Sequence, residues 1–333
     1  MSEAKTGIIL VVGGAGYIGS ALTGRLLEQG YRVRVLDVLL YRNGFALAAY
    51  RANPNFDFMQ GDFRDSEILT RSLDGVGSVI MLAALVGDPL CRQHPELATA
   101  INATGTTELI ERLAGKSLDR FIFMSTCSNY GLRRTEVEAV EKSELNPQSL
   151  YAETKVGVEQ YLLDAVGRLG FPITILRCAT AYGLSPRLRL DLTVNEFAYE
   201  LAMGHELLVY DPDTWRPYCH VDDISAAIVR VIEAPTEMIS GQVFNVGRSG
   251  ENYTKRMLVD ILKGYKADAK IRFREGAVDP RNYKVSFRKI AESLSFAGSR
   301  DVPGTFRELL SYFTGSGGLA RPIDKSLYCN ILS

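Results

Sequence analysis

Disulfide and metal chemistry have little to work with in this chain of 333 residues. Its five cysteines, at positions 91, 127, 178, 219 and 329, include no C-x-x-C pair, and its three histidines, His94, His205 and His220, are scattered. That excludes a disulfide framework and the ligand spacing of a zinc site, so no metal is expected. An excess of charge of one sign is also missing. With 38 basic and 39 acidic residues there is no net field to recruit nucleic acid or an anionic membrane surface. The N-terminal apolar run is too short to span a bilayer and turns straight into glycines, so it reads as a first strand and not as a signal peptide. No low-complexity tract or internal repeat is evident. What these absences leave is a soluble, cytoplasmic protein, long enough to bury a large core as one large or two modest domains.

The most informative stretch is Ile8-Ile9-Leu10-Val11-Val12-Gly13-Gly14-Ala15-Gly16-Tyr17-Ile18-Gly19-Ser20, a buried strand turning sharply into a helix. Gly13 suits the tight turn, Gly16 allows a pyrophosphate to approach the backbone, and Gly19 lets helix and strand pack closely; the free N–H groups of the helix start face an anion. The spacing is one residue off G-x-G-x-x-G, and a glycine-rich turn alone is a weak signal. A second strand strengthens it. Tyr31-Arg32-Val33-Arg34-Val35-Leu36-Asp37 ends on an acid about 20 residues beyond the glycines, where a ribose 2′-hydroxyl would lie. Asp37 therefore favours NAD over NADP, with Arg42 near enough to keep the second open and a solvated strand-end acid as the plain alternative.

Strand candidates at Ile8–Val12, Tyr31–Asp37, Asn55–Gln60, Ser78–Ala83, Phe121–Ser125 and Ile173–Arg177 alternate with helical patterns. This predicts an α/β fold with a parallel sheet covered on both faces, and ligands beyond the carboxyl ends of its strands. After Arg177 the alternation breaks down. Tyr182 to Trp215 reads as irregular, Val221 to Ile228 as the start of an amphipathic helix, and Gly241 to Gly247 as a strand returning to the sheet. Arg248 to Ser333 carries two helical patterns, short strands and a Gly315-Ser316-Gly317-Gly318 breaker. The charge-mixed stretch Arg133 to Glu144 reads as a solvated loop near the mouth of the cleft, with a lid as the alternative.

A helix opening near Ser149 carries Tyr151-Ala152-Glu153-Thr154-Lys155, which puts phenol and ammonium one turn apart on one face. A phenol titrates near pH ~10 in water; an adjacent ammonium and a bound nicotinamide cation both favour the phenolate, making Tyr151 a general acid/base candidate. Such a pair is common on helix surfaces. The strand Phe121-Ile122-Phe123-Met124-Ser125-Thr126-Cys127-Ser128, ending in hydroxyls about 25 residues earlier, changes the reading.

Taken together, these motifs resemble the extended short-chain dehydrogenase/reductase family, and within it the nucleotide-sugar epimerases and dehydratases of the UDP-glucose 4-epimerase type. The match extends through Gly61-Asp62, Leu82-Ala83-Ala84, Leu176-Arg177, Tyr182-Gly183 and Arg216-Pro217-Tyr218-Cys219-His220-Val221-Asp222. The resemblance implies a Rossmann-type, doubly wound parallel sheet at 1–180 with 218–247 returning to it, and a smaller mixed α/β substrate domain from 181–217 and 248–333. It implies Tyr151, Lys155, Thr126 and Ser128 as the catalytic set. NAD would be held by Gly13, Gly16, Tyr17, Ile18, Gly19, Asp37, Asp62, Phe63, Leu82, Ala83, Ala84 and Lys155. A nucleotide-diphosphate sugar would be held by Thr126, Ser128, Thr180, Asn195, Arg216 and Arg281, in a homodimer. His220, Cys127 and Cys178 read as structural.

Three departures from the family pattern bear on the reaction. Met81 stands where a His usually precedes Leu-Ala-Ala, Thr180 stands where an Asn is common, and Cys127-Ser128 replaces the Asp-Glu of the 4,6-dehydratases. The expectation is an epimerase working through a transient 4-keto sugar. A keto-sugar reductase on the same fold, or a regulator that binds the dinucleotide without catalysis, are the alternatives.

Overall fold

The computed structural model describes residues 7–274, 276, 281–315 and 323–331. Ser316 to Gly318 of the glycine breaker, and Asp279 and Pro280 beside Arg281, lie outside that set. Seven parallel strands form the central sheet: β1 (Ile8–Val12), β2 (Arg32–Asp37), β3 (Phe56–Gln60), β4 (Val76–Met81), β5 (Arg120–Thr126), β6 (Ile173–Cys178) and β10 (Gln242–Val246). Their order is β10-β6-β5-β4-β1-β2-β3, so the winding reverses between β1 and β4, where a crevice opens at the strand ends. The all-apolar β1 is buried along its whole length because helices cover both of its faces. The strand expected at 241–247 does return, pairing with β6 from Gln242–Thr174 to Val246–Cys178.

The remaining strands form two small sheets. β7 (Thr180–Tyr182), β9 (Trp215–His220) and β11 (Asn252–Thr254) make a mixed three-stranded sheet; β8 (Leu207–Tyr210) pairs with β12 (Ile271–Arg274). The stretch 182–215 is more regular than expected, since Thr193–Ala202 is helical. Its buried Val194, Phe197, Ala198 and Leu201 fall at i, i+3, i+4 and i+7, a helical stripe that packs into a separate apolar core with Leu258, Phe306 and Phe313.

Glycine is required where backbones close on each other at the first turn. Gly13 has φ +86°, and a Cβ there would come within 2.6 Å of the Ala83 nitrogen after β4. A Cβ on Gly19 would overlap the backbone of Gly13 and Gly14, so the helix Tyr17–Glu28 can pack this close only without one.

A buried polar network joins the sheet to the helix Leu150–Asp164, whose start is capped by the Ser149 hydroxyl. Glu159, at 1% side-chain exposure, pairs with Arg177 at the end of β6, at 5%, through contacts of 2.6, 3.0 and 3.2 Å. The same carboxylate accepts from Ser125 on β5 and from Asn129 at 2.8 Å. Arg177 also donates to the Tyr130 hydroxyl (3.1 Å) and the Glu141 carbonyl (2.9 Å), and Tyr130 donates to Asn245 of β10. Glu141 thus belongs to this network, and the stretch 133–144 is not simply a solvated loop. Because breaking one partner of a buried pair strands the other charge, Glu159→Ala should cost about 3–5 kcal/mol in chemical denaturation. The double replacement Glu159→Leu with Arg177→Met should recover most of that loss; a single-variant cost under about 1 kcal/mol would show that the pair does not hold the helix.

Candidate active site

A cavity of about 600 Å³ runs along the carboxyl ends of the strands from β3 to β6 and is closed by residues of the second half of the chain. Its first wall is the turn after β1: Gly13, Gly16, Tyr17, Ile18 and Gly19. Asp37 at the end of β2 lines it too. One Asp37 oxygen accepts from Ala15 N (2.9 Å) and the other from Leu39 N (2.8 Å). Burial pushes this carboxyl up, and those two N–H groups pull it back. Arg42 is exposed and is not part of the wall. Asp62 and Phe63 follow β3; Asp62 is paired bidentately with Arg64, whose hydrogen bonds hold its carboxyl below the usual range. Leu82, Ala83 and Ala84 continue the wall after β4.

These features fit a dinucleotide. A helix N-terminus opens onto the cavity, an anchored acid stands at the β2 end, and three buried polar atoms on the wall have no protein partner: Asn43 Oδ1, the Tyr41 hydroxyl and Arg187 Nε.

At the other end, Thr126, Ser128, Tyr151, Lys155 and Thr180 share the wall. The Thr126 hydroxyl accepts from Ser128 N (3.1 Å), and its oxygen lies 2.9 Å from Ser128 Oγ. Tyr151 packs against Leu85, Leu90 and Cys91. Burial pushes its phenol well above the ordinary value, against the opposing pull of Arg189, so in the free protein Tyr151 holds its proton. Lys155 does less for this phenol than its spacing predicts. Its Nζ donates to the Met124 carbonyl (2.9 Å), 4.7 Å from the Phe123 ring centre and 5.9 Å from that of Tyr151. The ammonium is buried, which pulls its pKa down to about 8, while Glu159 one turn on pulls it up.

Arg216 and Arg281 close the cavity from the second half. Arg216 donates to the Trp215 carbonyl (2.7 Å) and to that of Arg281, with its guanidinium over the Tyr283 ring. Arg281 is paired with Asp88 at 2.7 Å. Asn195 is placed elsewhere: fully buried behind the wall, it accepts from Gly183 N (2.8 Å) and donates to the Arg189 carbonyl (2.9 Å), so it shapes the turn after β7. His220 caps the helix Val221–Glu233 through Asp222 N, and burial lowers its pKa. Cys127 donates to the Arg177 carbonyl, away from the cavity.

The model of the family described as "NAD dependent epimerase/dehydratase family" matches residues 9–247. The chain is 26% identical over 328 residues to the UDP-glucose 4-epimerase of Corynebacterium glutamicum, covering 93% of this chain and 96% of that one. It is 31% identical over 277 residues to UDP-glucose 4-epimerase 1 of rice, Oryza sativa subsp. japonica, covering 74% and 77%. In fold it is similar to the UDP-glucuronic acid 4-epimerase of Bacillus cereus, solved with UDP-glucuronic acid and NAD: TM-score 0.84, 24% identity, coverage 92% and 98%.

The depressed lysine makes a prediction for the free protein. Between pH 8 and 10.5 the unfolded chain keeps a proton on this lysine that the folded chain has lost, so its handicap is full below pH 8 and disappears as pH rises to 10.5. Lys155→Met should therefore be more stable than the parent at pH 7, by about 3 kcal/mol at most, with the advantage shrinking toward pH 10. Urea titrations across that range measure it. A difference that does not vary with pH would mean that Lys155 titrates as an ordinary lysine.

Proposed function

The chain belongs to the NAD dependent epimerase/dehydratase family, and we propose that within it the protein is a nucleotide-sugar epimerase acting on a sugar carbon that bears a hydroxyl. The observation that carries this reading is the group of side chains beyond β5 and β6. Tyr151, Thr126 and Ser128 face one cavity with Lys155 beside them, and among the described residues no glutamate lines that cavity. The nearby acids are committed, Asp88 to Arg281 and Asp191 to Arg189. Elimination of water, the dehydratase reaction, needs an acid and a base besides the tyrosine; among the described residues no uncommitted carboxyl stands at this end to serve.

Gly13, Gly16, Gly19 and Asp37 would hold NAD, which would supply reversible hydride acceptance at the sugar carbon. The chain's own residues supply the rest. Tyr151 holds its proton in the free protein, and the positive charge of a bound nicotinamide would favour its phenolate, which can then take the hydroxyl proton and later give it back. Thr126 and Ser128 hold the sugar hydroxyl by hydrogen bonds. Lys155, fixed on Met124, presents its remaining N–H bonds and its charge to the nicotinamide ribose. Arg216 meets the diphosphate, and Arg281 can join it only by leaving Asp88. Asp37 accepts the adenosine ribose hydroxyls and disfavours a 2′-phosphate. We read 181–217 and 248–333 as the substrate-binding part, and the protein as a homodimeric cytoplasmic enzyme; near-neutral charge and the exposed Leu163 and Val166 on and after the Leu150–Asp164 helix support this.

Tyr151→Phe keeps the ring and removes the exchangeable proton. Turnover should fall by about 10²- to 10⁴-fold while binding of UDP is retained. A variant with near-parental turnover would sink the assignment. Net consumption of added NADH by the parent protein would favour the keto-sugar reductase instead.

A further inference from the structure

Among the described residues the least explained charge is Arg187. It is 1% exposed, yet among the described residues no carboxylate lies within ion-pair distance of its guanidinium. Its donors reach only the carbonyls of Leu188 (2.8 Å) and Cys329 (3.3 Å) and, in a long 3.5 Å contact, Asn330 Oδ1. Nε has no partner. The neighbouring cation, Arg189, is already neutralised by Asp191. Burying a charge is costly unless it is paired, so a guanidinium left in this state on a cavity wall is suited to an anion that arrives from outside the chain.

Its location says which anion. Arg187 N donates to Ser20 Oγ (3.3 Å), Ser185 Oγ donates to the Tyr17 carbonyl (2.6 Å), and the Tyr17 hydroxyl donates to the Gly183 carbonyl (2.6 Å). These bonds stitch the segment 183–187 to the first turn of the helix Tyr17–Glu28, where N–H groups are free to bind phosphate. The guanidinium lies over the ring of Tyr41, 5.7 Å from its centre, and that hydroxyl is also without a partner. On the same turn Asn43 holds the Ala15 carbonyl (2.7 Å). By contrast, Arg216 and Arg281 are grouped with Tyr283, at the flank assigned to the sugar nucleotide.

We infer that Arg187 is a binding residue for the pyrophosphate of the dinucleotide, so that the second half of the chain clasps the phosphates that the glycine turn cradles from the first half. The inference rests on NAD occupying this cavity and not on which sugar reaction follows. The Tyr41 hydroxyl stands beside this contact as a further donor. A guanidinium can meet two phosphate oxygens at once, which an ammonium cannot.

The test is calorimetric titration of cofactor-stripped protein with NAD, ADP, adenosine and UDP. Arg187→Met should weaken NAD and ADP by about 10- to 100-fold and leave adenosine and UDP within about twofold. Arg187→Lys, which keeps the charge and guards against a folding failure, should lose about 3- to 10-fold for NAD and ADP only. Tyr41→Phe should lose a few-fold for the same two ligands. Weakened UDP with unchanged NAD would assign the arginine to the sugar nucleotide and overturn the inference. Equal losses for ADP and adenosine, or none at all, would make Arg187 structural and overturn it as well. A parent protein that binds none of NAD, ADP and adenosine would instead refute the reading of the cavity itself.

Discussion

One buried carboxylate holds the reactive end of this molecule together. Glu159 meets a guanidinium from β6, a hydroxyl from β5 and an amide from the turn that follows β5, and it projects from the helix that carries Tyr151 and Lys155. Residues 151, 155 and 159 are successive turns of one helix face. The face therefore reads from the cavity inward as phenol, ammonium, carboxylate. A charge that deep is tolerated only when its lone pairs are taken up, and satisfying them leaves the helix little freedom to slide or rotate on the sheet. The distance between Tyr151 and the Thr126–Ser128 hydroxyls is set by this constraint, and proton transfer depends on that distance.

The rest of the site follows from topology. An all-parallel sheet that reverses its winding between β1 and β4 must open a crevice at the carboxyl ends of its strands, and the sequence puts small or polar residues at each of those ends. The glycine turn and Asp37 lie on one side of the reversal, the hydroxyls and the tyrosine on the other. The second half of the chain then lies across the opening, tied to the Tyr17–Glu28 helix through Gly183 and Ser185 and to the Asp88 segment through Arg281. The cavity is thereby lined from both halves.

Much of this was legible in the residues. The period-2 and all-apolar strands, the glycine spacing, Asp37, the strand-end hydroxyls and the Tyr-Lys pair predicted the sheet and brought most of the wall together. The returning strand at 242–246 was legible as well. What escaped depended on contacts between residues distant in sequence. Glu159 and Arg177 are 18 positions apart, and nothing in either neighbourhood marks the other, although a glutamate one turn beyond the lysine was a signal that could have been followed. Glu141 looked like one more charge in a polar loop until Arg177 and Asn245 are seen beside it. Asn195 was implied as a ligand by the resemblance; the helix Thr193–Ala202 turns it inward, where its Oδ1 accepts from Gly183 N. The protonation of Tyr151 could not be read from spacing, because a four-residue offset places Lys155 on the right face but does not say that its Nζ donates to the Met124 carbonyl. Arg187 belongs to no motif read from the sequence, and only its burial gives it meaning.

The reaction proposed for this chain removes hydrogen from one sugar carbon and restores it to that same carbon without elimination or net oxidation. Deuterium at carbon 4 of UDP-glucose and of UDP-glucuronic acid tests it most directly. Whichever sugar turns over, the 4-epimer formed should carry the label on carbon 4, with none in water or in added cofactor. Label at carbon 6 of a dehydrated sugar, or in reduced cofactor released to solution, would contradict it.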